Sequence, residues 1–153
     1  MKIKDFLVVD AVISDLQSTG KNDLLMAFAG IIETAYPGAR KEQIAESLIE
    51  RERLASTGFG NGAAIPHAKT SDLNTICGAF GISRTGISFD AIDGKPVNFF
   101  FVLVAPQGAA NDHIKALGRV SNLLRNSDLR QRVLEAKTSE EIYSIIIDID
   151  GRG

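Results

Sequence analysis

The chain has 153 residues, 44% of them hydrophobic and 24% charged, with 17 basic against 19 acidic side chains and a formal charge of −2. Such figures describe a packed domain able to bury its own core. They exclude intrinsic disorder, a collagen-like repeat and a disulfide-stapled miniprotein. A nucleic-acid partner is not expected, because it would need a basic excess on at least one face. The basic groups Arg51/Arg53 and Arg125/Arg130/Arg132 lie among or beside acids.

Near the N-terminus the apolar run Phe6–Val9 stops at Asp10, too short for a secretory leader. Val12–Leu16 alternates weakly and reads as a strand, followed by a turn over Gln17–Gly20. From Asn22 to about Tyr36, Leu24, Leu25, Phe28, Ile31, Ile32 and Ala35 recur at helical spacing. Pro37–Gly38 closes that helix. A second helix runs from about Arg40 to Leu54, with Ile44, Leu48 and Ile49 on one side and Arg51 near its end. Ser56–Gly62 reads as a loop. Pro66 pushes Ile65 towards an extended conformation, so His67 follows a stiff tripeptide.

Asn74–Ile82 is a strand candidate interrupted by glycine, and Ile87–Phe89 is another. Cys77, the one cysteine, reads as a small buried side chain. Its isolation favours a reducing compartment. Asp93–Gly94 is a hairpin signal. Val97–Ala105 is apolar on both faces, which suggests a central strand. It is far too short to span a membrane, so no membrane insertion is expected and the protein reads as cytoplasmic. Three helices follow, with expected caps at Asp112, Ser127 and Thr138; the last forms a capping box with Glu141 and carries Ile142, Ile145, Ile146 and Ile149. Together these segments indicate one α/β domain over residues 1–153, a mixed central sheet flanked by helices on both faces.

The chemistry narrows by exclusion. Gly58, Gly60 and Gly62 lack the Gly-Lys-Ser/Thr ending of a P-loop, and the helix before them and Pro66 after them do not fit a dinucleotide fingerprint. No Gly-x-Ser-x-Gly elbow is present. Two histidines 46 positions apart, without a cysteine pair, make a poor zinc site, so neither metal nor cofactor is expected. What remains is histidine as a nucleophile. A neutral imidazole can accept a phosphoryl group at physiological pH, and the charge spread over three oxygens then calls for fixed donors. Amides of Gly60, Asn61, Gly62 and Ala63 are candidates for phosphate binding. Arg51 is a candidate guanidinium, unless it serves a surface salt bridge to Glu50 or Glu52. His113 falls at the start of a helix, where the dipole would depress its pKa. There it could donate to a phosphoryl group or hold the acceptor's tautomer; otherwise it is a partly exposed first-turn residue.

The segment Arg51-Glu-Arg-Leu-Ala-Ser-Thr-Gly-Phe-Gly-Asn-Gly-Ala-Ala-Ile-Pro-His67 closely resembles the active-site signature of fructose/mannitol-type enzyme IIA domains of the bacterial phosphoenolpyruvate-dependent phosphotransferase system. Phe89–Val97, His113–Leu117 and Ser139–Tyr143 resemble further pieces of that family in order, so the likeness runs from about Val12 to Asp150. It implies that His67 is phosphorylated, that Arg51 stabilises the phosphoryl group and that His113 is a second histidine beside it. It also implies a mixed sheet between helices and an HPr-like phosphocarrier protein as donor. Ala63, where a bulkier aliphatic residue is common, and Ala68, where glycine is common, depart from the pattern.

Two roles are open within the family. One is a nitrogen-type regulatory IIA acting on target proteins, which the Asp-Ala-Ile-Asp-Gly segment and the closing helix favour. The other is a sugar-specific IIA passing phosphate to a IIB domain. A non-catalytic binding module of the same fold is a further alternative.

Overall fold

The computed structural model describes residues 1–152. Its strands are β1 (Leu7–Ile13), β2 (Gly58–Gly60), β3 (Ala63–Ala64), β4 (His67–Thr70), β5 (Cys77–Ile87) and β6 (Val97–Pro106). Its helices are α1 (Lys21–Ala35), α2 (Lys41–Leu54), α3 (Ala110–Arg125), α4 (Ser127–Glu135) and α5 (Ser139–Arg152). The sheet order is β1-β5-β6-β3-β2, with β4 also on β6. β1 runs parallel to β5, β5 antiparallel to β6, and β3 and β4 parallel to β6. The mixed sheet expected from Asp93–Gly94 is therefore present. The turn itself sits inside a longer connection, with Gly94 N–H donating to the Ala91 carbonyl at 2.9 Å.

β6 is the centre. Phe99 to Ala105 are all at most 5% exposed, because opposite faces of the strand meet different layers. Phe100 packs on Phe28 of α1 and on Phe89, while Phe101 packs on Phe6 and Phe80. Such aromatic pairs add about 0.5–1.5 kcal/mol each beyond the area they bury. Helices α1 and α2 pack together against one face, and α3, α4 and α5 pack together on the other. In β5, Gly81 is needed for packing: a Cβ there would lie 2.8 Å from Leu16 Cδ1 and 2.9 Å from the Phe28 ring.

Several boundaries differ from the sequence reading. The first strand starts at Leu7, and a register irregularity between Leu7 and Val12 breaks the alternation that would have marked it. The supposed loop 56–62 is largely the hairpin of β2 and β3. Asn74–Ile82 and Ile87–Phe89 contribute to one strand, β5, with an irregularity in its pairing between Ile82 and Ile87. Helix α3 starts before Asp112, at Ala110. Helix α4 is capped by Asn126, whose side chain accepts from Leu129 N–H, rather than by Ser127. At α5, Thr138 Oγ1 accepts from Glu141 N–H, but Glu141 reaches back to Lys137 N–H, so the box is displaced. Cys77 is buried, and burial raises its thiol pKa to about 11.

At the far side from β2, Asp150 of α5 is buried. Its carboxylate accepts from Ile3 N–H at 2.8 Å and from Arg119 Nε at 2.5 Å. Among the described residues, no helix is long and apolar enough to cross a membrane.

Candidate functional site

Residues Ala63 to Thr70 lie along β6 in one register, Ala63 opposite Phe99 and His67 opposite Leu103. Between β3 and β4, Pro66 has no N–H to give, yet its carbonyl accepts from Leu103 N–H at 3.0 Å. The extended Ile65–Pro66 step turns the Ile65 carbonyl to the imidazole two residues on. His67 Nδ1 lies 2.8 Å from that oxygen. A carbonyl can only accept, so Nδ1 carries the proton. In the neutral ring the lone pair then belongs to Nε2. Burial lowers the pKa of His67 below its ordinary value, the Ile65 carbonyl opposes that shift, and the Arg51 charge adds to it. The ring is therefore neutral and nucleophilic at pH 7.

His113 faces it from α3. The two ring centroids are 5.4 Å apart and the planes meet at 89°. His113 is only 5% exposed, and neither of its ring nitrogens has a hydrogen-bond partner among the described residues. An unpaired buried group of this kind costs about 1–3 kcal/mol. Burial first, then the charges of His67 and Lys69, lower its pKa to about 4. The helix field expected from sequence is not among those causes. His113 stands one residue beyond the first three helical positions, and its own N–H is already bonded to the Ala109 carbonyl at 2.9 Å.

Arg51, in the last turn of α2, donates to the Ala55 carbonyl at 3.0 Å and forms no salt bridge with Glu50 or Glu52. Two lobes of a cleft, about 850 and 500 Å³, share Arg51, His67 and Leu117 in their linings. His113, Lys69 and Gln107 line the larger lobe. At the rim, Leu54, Ile92 and Ile114 are 82%, 85% and 68% exposed.

The four residues proposed to bind phosphate lie elsewhere. Gly60, Asn61 and Gly62 form the hairpin tip with φ of 105°, 58° and 71°, a left-handed run that glycine and asparagine tolerate. Ala63 is fully buried beside Phe99. Four residue steps of extended chain lead from it to His67, about 13 Å, and none of the four is among the residues lining the cleft. The glycines serve the turn. Sequence reasoning missed two features of the site: the Ile65 carbonyl, for which Ile-Pro-His was a usable signal, and buried Glu52, which looked like one more charge at a helix end. Among the described residues, no group of three or more His, Cys, Asp or Glu side chains comes together to hold a metal ion.

The family model described as "Phosphoenolpyruvate-dependent sugar phosphotransferase system, EIIA 2" matches residues 5–149. A nitrogen regulatory protein of Bradyrhizobium diazoefficiens is 35% identical over 146 residues, covering 95% of each chain. The fructose-specific EIIABC component of Bacillus subtilis is 34% identical over 146 residues, which is 95% of this chain but 23% of that protein. The crystal structure of nitrogen regulatory protein IIA-Ntr from Neisseria meningitidis superposes with a TM-score of 0.87 at 29% identity, over 94% of this chain and 98% of that one. This chain belongs to the EIIA 2 family of the phosphoenolpyruvate-dependent sugar phosphotransferase system.

Proposed function

We propose that Nε2 of His67 accepts a phosphoryl group from a phosphohistidine on an HPr-like carrier and later gives it up. The observation that supports this is the pinned ring: Nδ1 is held by the Ile65 carbonyl, so Nε2 is the nitrogen left for chemistry. In the transfer, a P–N bond forms at Nε2 as the donor's P–N bond breaks. The breaking bond's electron pair stays on the donor imidazole, and His67 keeps its Nδ1 proton. Arg51 supplies a planar guanidinium to the developing charge. A phosphoryl oxygen on His67 gives the unpartnered His113 ring something to bond, with His113 donating.

The cleft is far larger than one phosphoryl group, and its exposed rim of Leu54, Ile92 and Ile114 suits a protein donor. The role we favour is the nitrogen-type regulatory one, in the cytoplasm, with target proteins read by phosphorylation state. Full-length matches to nitrogen regulatory proteins support it. A relay to a IIB domain is the second reading, supported by the fructose-specific relative.

The test is label transfer from a phosphorylated carrier. Wild-type protein takes up one phosphoryl group and His67→Ala none; full uptake by His67→Ala overturns the scheme. Adding IIB domains separates the roles, since onward transfer marks the relay. Identical partner binding by His67→Ala and His67→Asp would instead favour a module that signals by contact alone.

A further inference from the structure

Glu52 follows Arg51 in the last turn of α2, yet it is only 5% exposed. Its carboxylate accepts from Thr57 N–H at 3.2 and 3.3 Å and from the Thr57 hydroxyl. Lys21 Nζ, from the start of α1, lies 3.2 Å from Oε2 of the same carboxylate. The Lys21 ammonium also reaches Asp90 Oδ2 at 3.5 Å and the Phe89 carbonyl at 3.4 Å. A buried carboxylate with this many donors is held firmly, and it holds them.

The bonds continue beyond Thr57. Its carbonyl accepts from Ile65 N–H at 3.3 Å, and the carbonyl of Ile65 accepts from His67 Nδ1 at 2.8 Å. One unbroken path thus joins Lys21, Glu52, Thr57, the Ile65 residue and the reacting imidazole. We infer that Glu52 is a positioning residue: through Thr57 it fixes the Ile65 carbonyl, and so selects the Nδ1–H tautomer that leaves Nε2 free.

Groups behind a reacting histidine commonly set its tautomer in this way. Here the orienting acceptor is a backbone carbonyl, which has no side chain to reveal it, and the charged anchor lies one step behind. The inference deepens the reading of His67 as phosphoryl acceptor, but the tautomer can be measured without phosphate.

The experiment is nitrogen NMR of the His67 ring in the unphosphorylated full-length protein, paired with label uptake. Wild type should show the Nδ1–H form predominating. Thr57→Val and Glu52→Gln, checked for a dispersed amide spectrum, should shift at least threefold towards the Nε2–H form that an unconstrained histidine side chain favours. Uptake should slow about tenfold, the scale on which partners behind a reacting group act. Thr57→Ser should restore the wild-type ratio. A predominant Nε2–H form in the wild type overturns the inference without any variant. So does an unchanged ratio in folded Thr57→Val, whatever happens to uptake. If the variants shift the ratio while the wild type takes up no label, the positioning role stands and the acceptor reading falls instead.

Discussion

The two walls of the cleft present the same side chain under opposite constraint. On the strand wall, His67 is half-buried and its Nδ1 is committed to the Ile65 carbonyl. On the helix wall, His113 is more deeply buried, its pKa falls to about 4, and neither nitrogen has a partner among the described residues. A nucleophile needs a known lone pair in a known direction, and the strand wall supplies it. A group that must respond to an arriving charge needs uncommitted nitrogens, and the helix wall supplies those. On the function proposed above, two histidines in edge contact divide the work according to what their backbones have already bonded.

Removing each ring in turn is the sharpest way to break the comparison. His67→Ala should lose acceptance completely in a label-transfer assay. Arg51→Lys should keep it but run about 10²-fold slower, the usual cost of a lost charge-stabilising donor, because a point ammonium cannot form the planar pair. His113→Ala should still take the label, about tenfold more slowly, since one hydrogen bond nets about 0.5–1.5 kcal/mol. If His113→Ala were as dead as His67→Ala, the two walls would not have separate tasks.

A smaller effect is expected in stability against pH. His113 titrates near 4 when folded and near 6.5 when unfolded. Between those values the unfolded chain binds more protons, so its contribution is complete above 6.5 and is lost as pH falls towards about 4. His67 shifts in the same direction. Urea midpoints of His113→Gln should therefore fall less steeply over that window than those of wild type. Parallel profiles would mean that His113 is not held neutral by its surroundings.

Some of this was legible in the chain and some was not. The long helices α1 and α2 announce themselves because their apolar residues recur over several turns, and β6 because it is apolar on both faces. Arg51, His67 and His113 could be named from spacing and family likeness, and the fold brings them to one cleft. The short strands could not be read: β3 has two residues and β4 four. Both exist because β6 offers a partner, a long-range fact. The glycines are ambiguous for a related reason. A left-handed turn and a phosphate cradle ask for the same residues; here residues 60–62 form the turn and are not among those lining the cleft that holds His67. Glu52 was hidden among charges that do face solvent.

The clasp at Asp150 bears on how this domain can be rewired. Because that carboxylate holds Ile3 N–H directly, the turn at Ile3–Asp5 and the last turn of α5 are spatial neighbours on the side opposite the β2 edge. Proximity of this kind makes a fold tolerant of circular permutation. Joining the ends with a short glycine-serine bridge and reopening the chain at exposed Gly94 should yield a permutant that unfolds cooperatively and retains its sheet order.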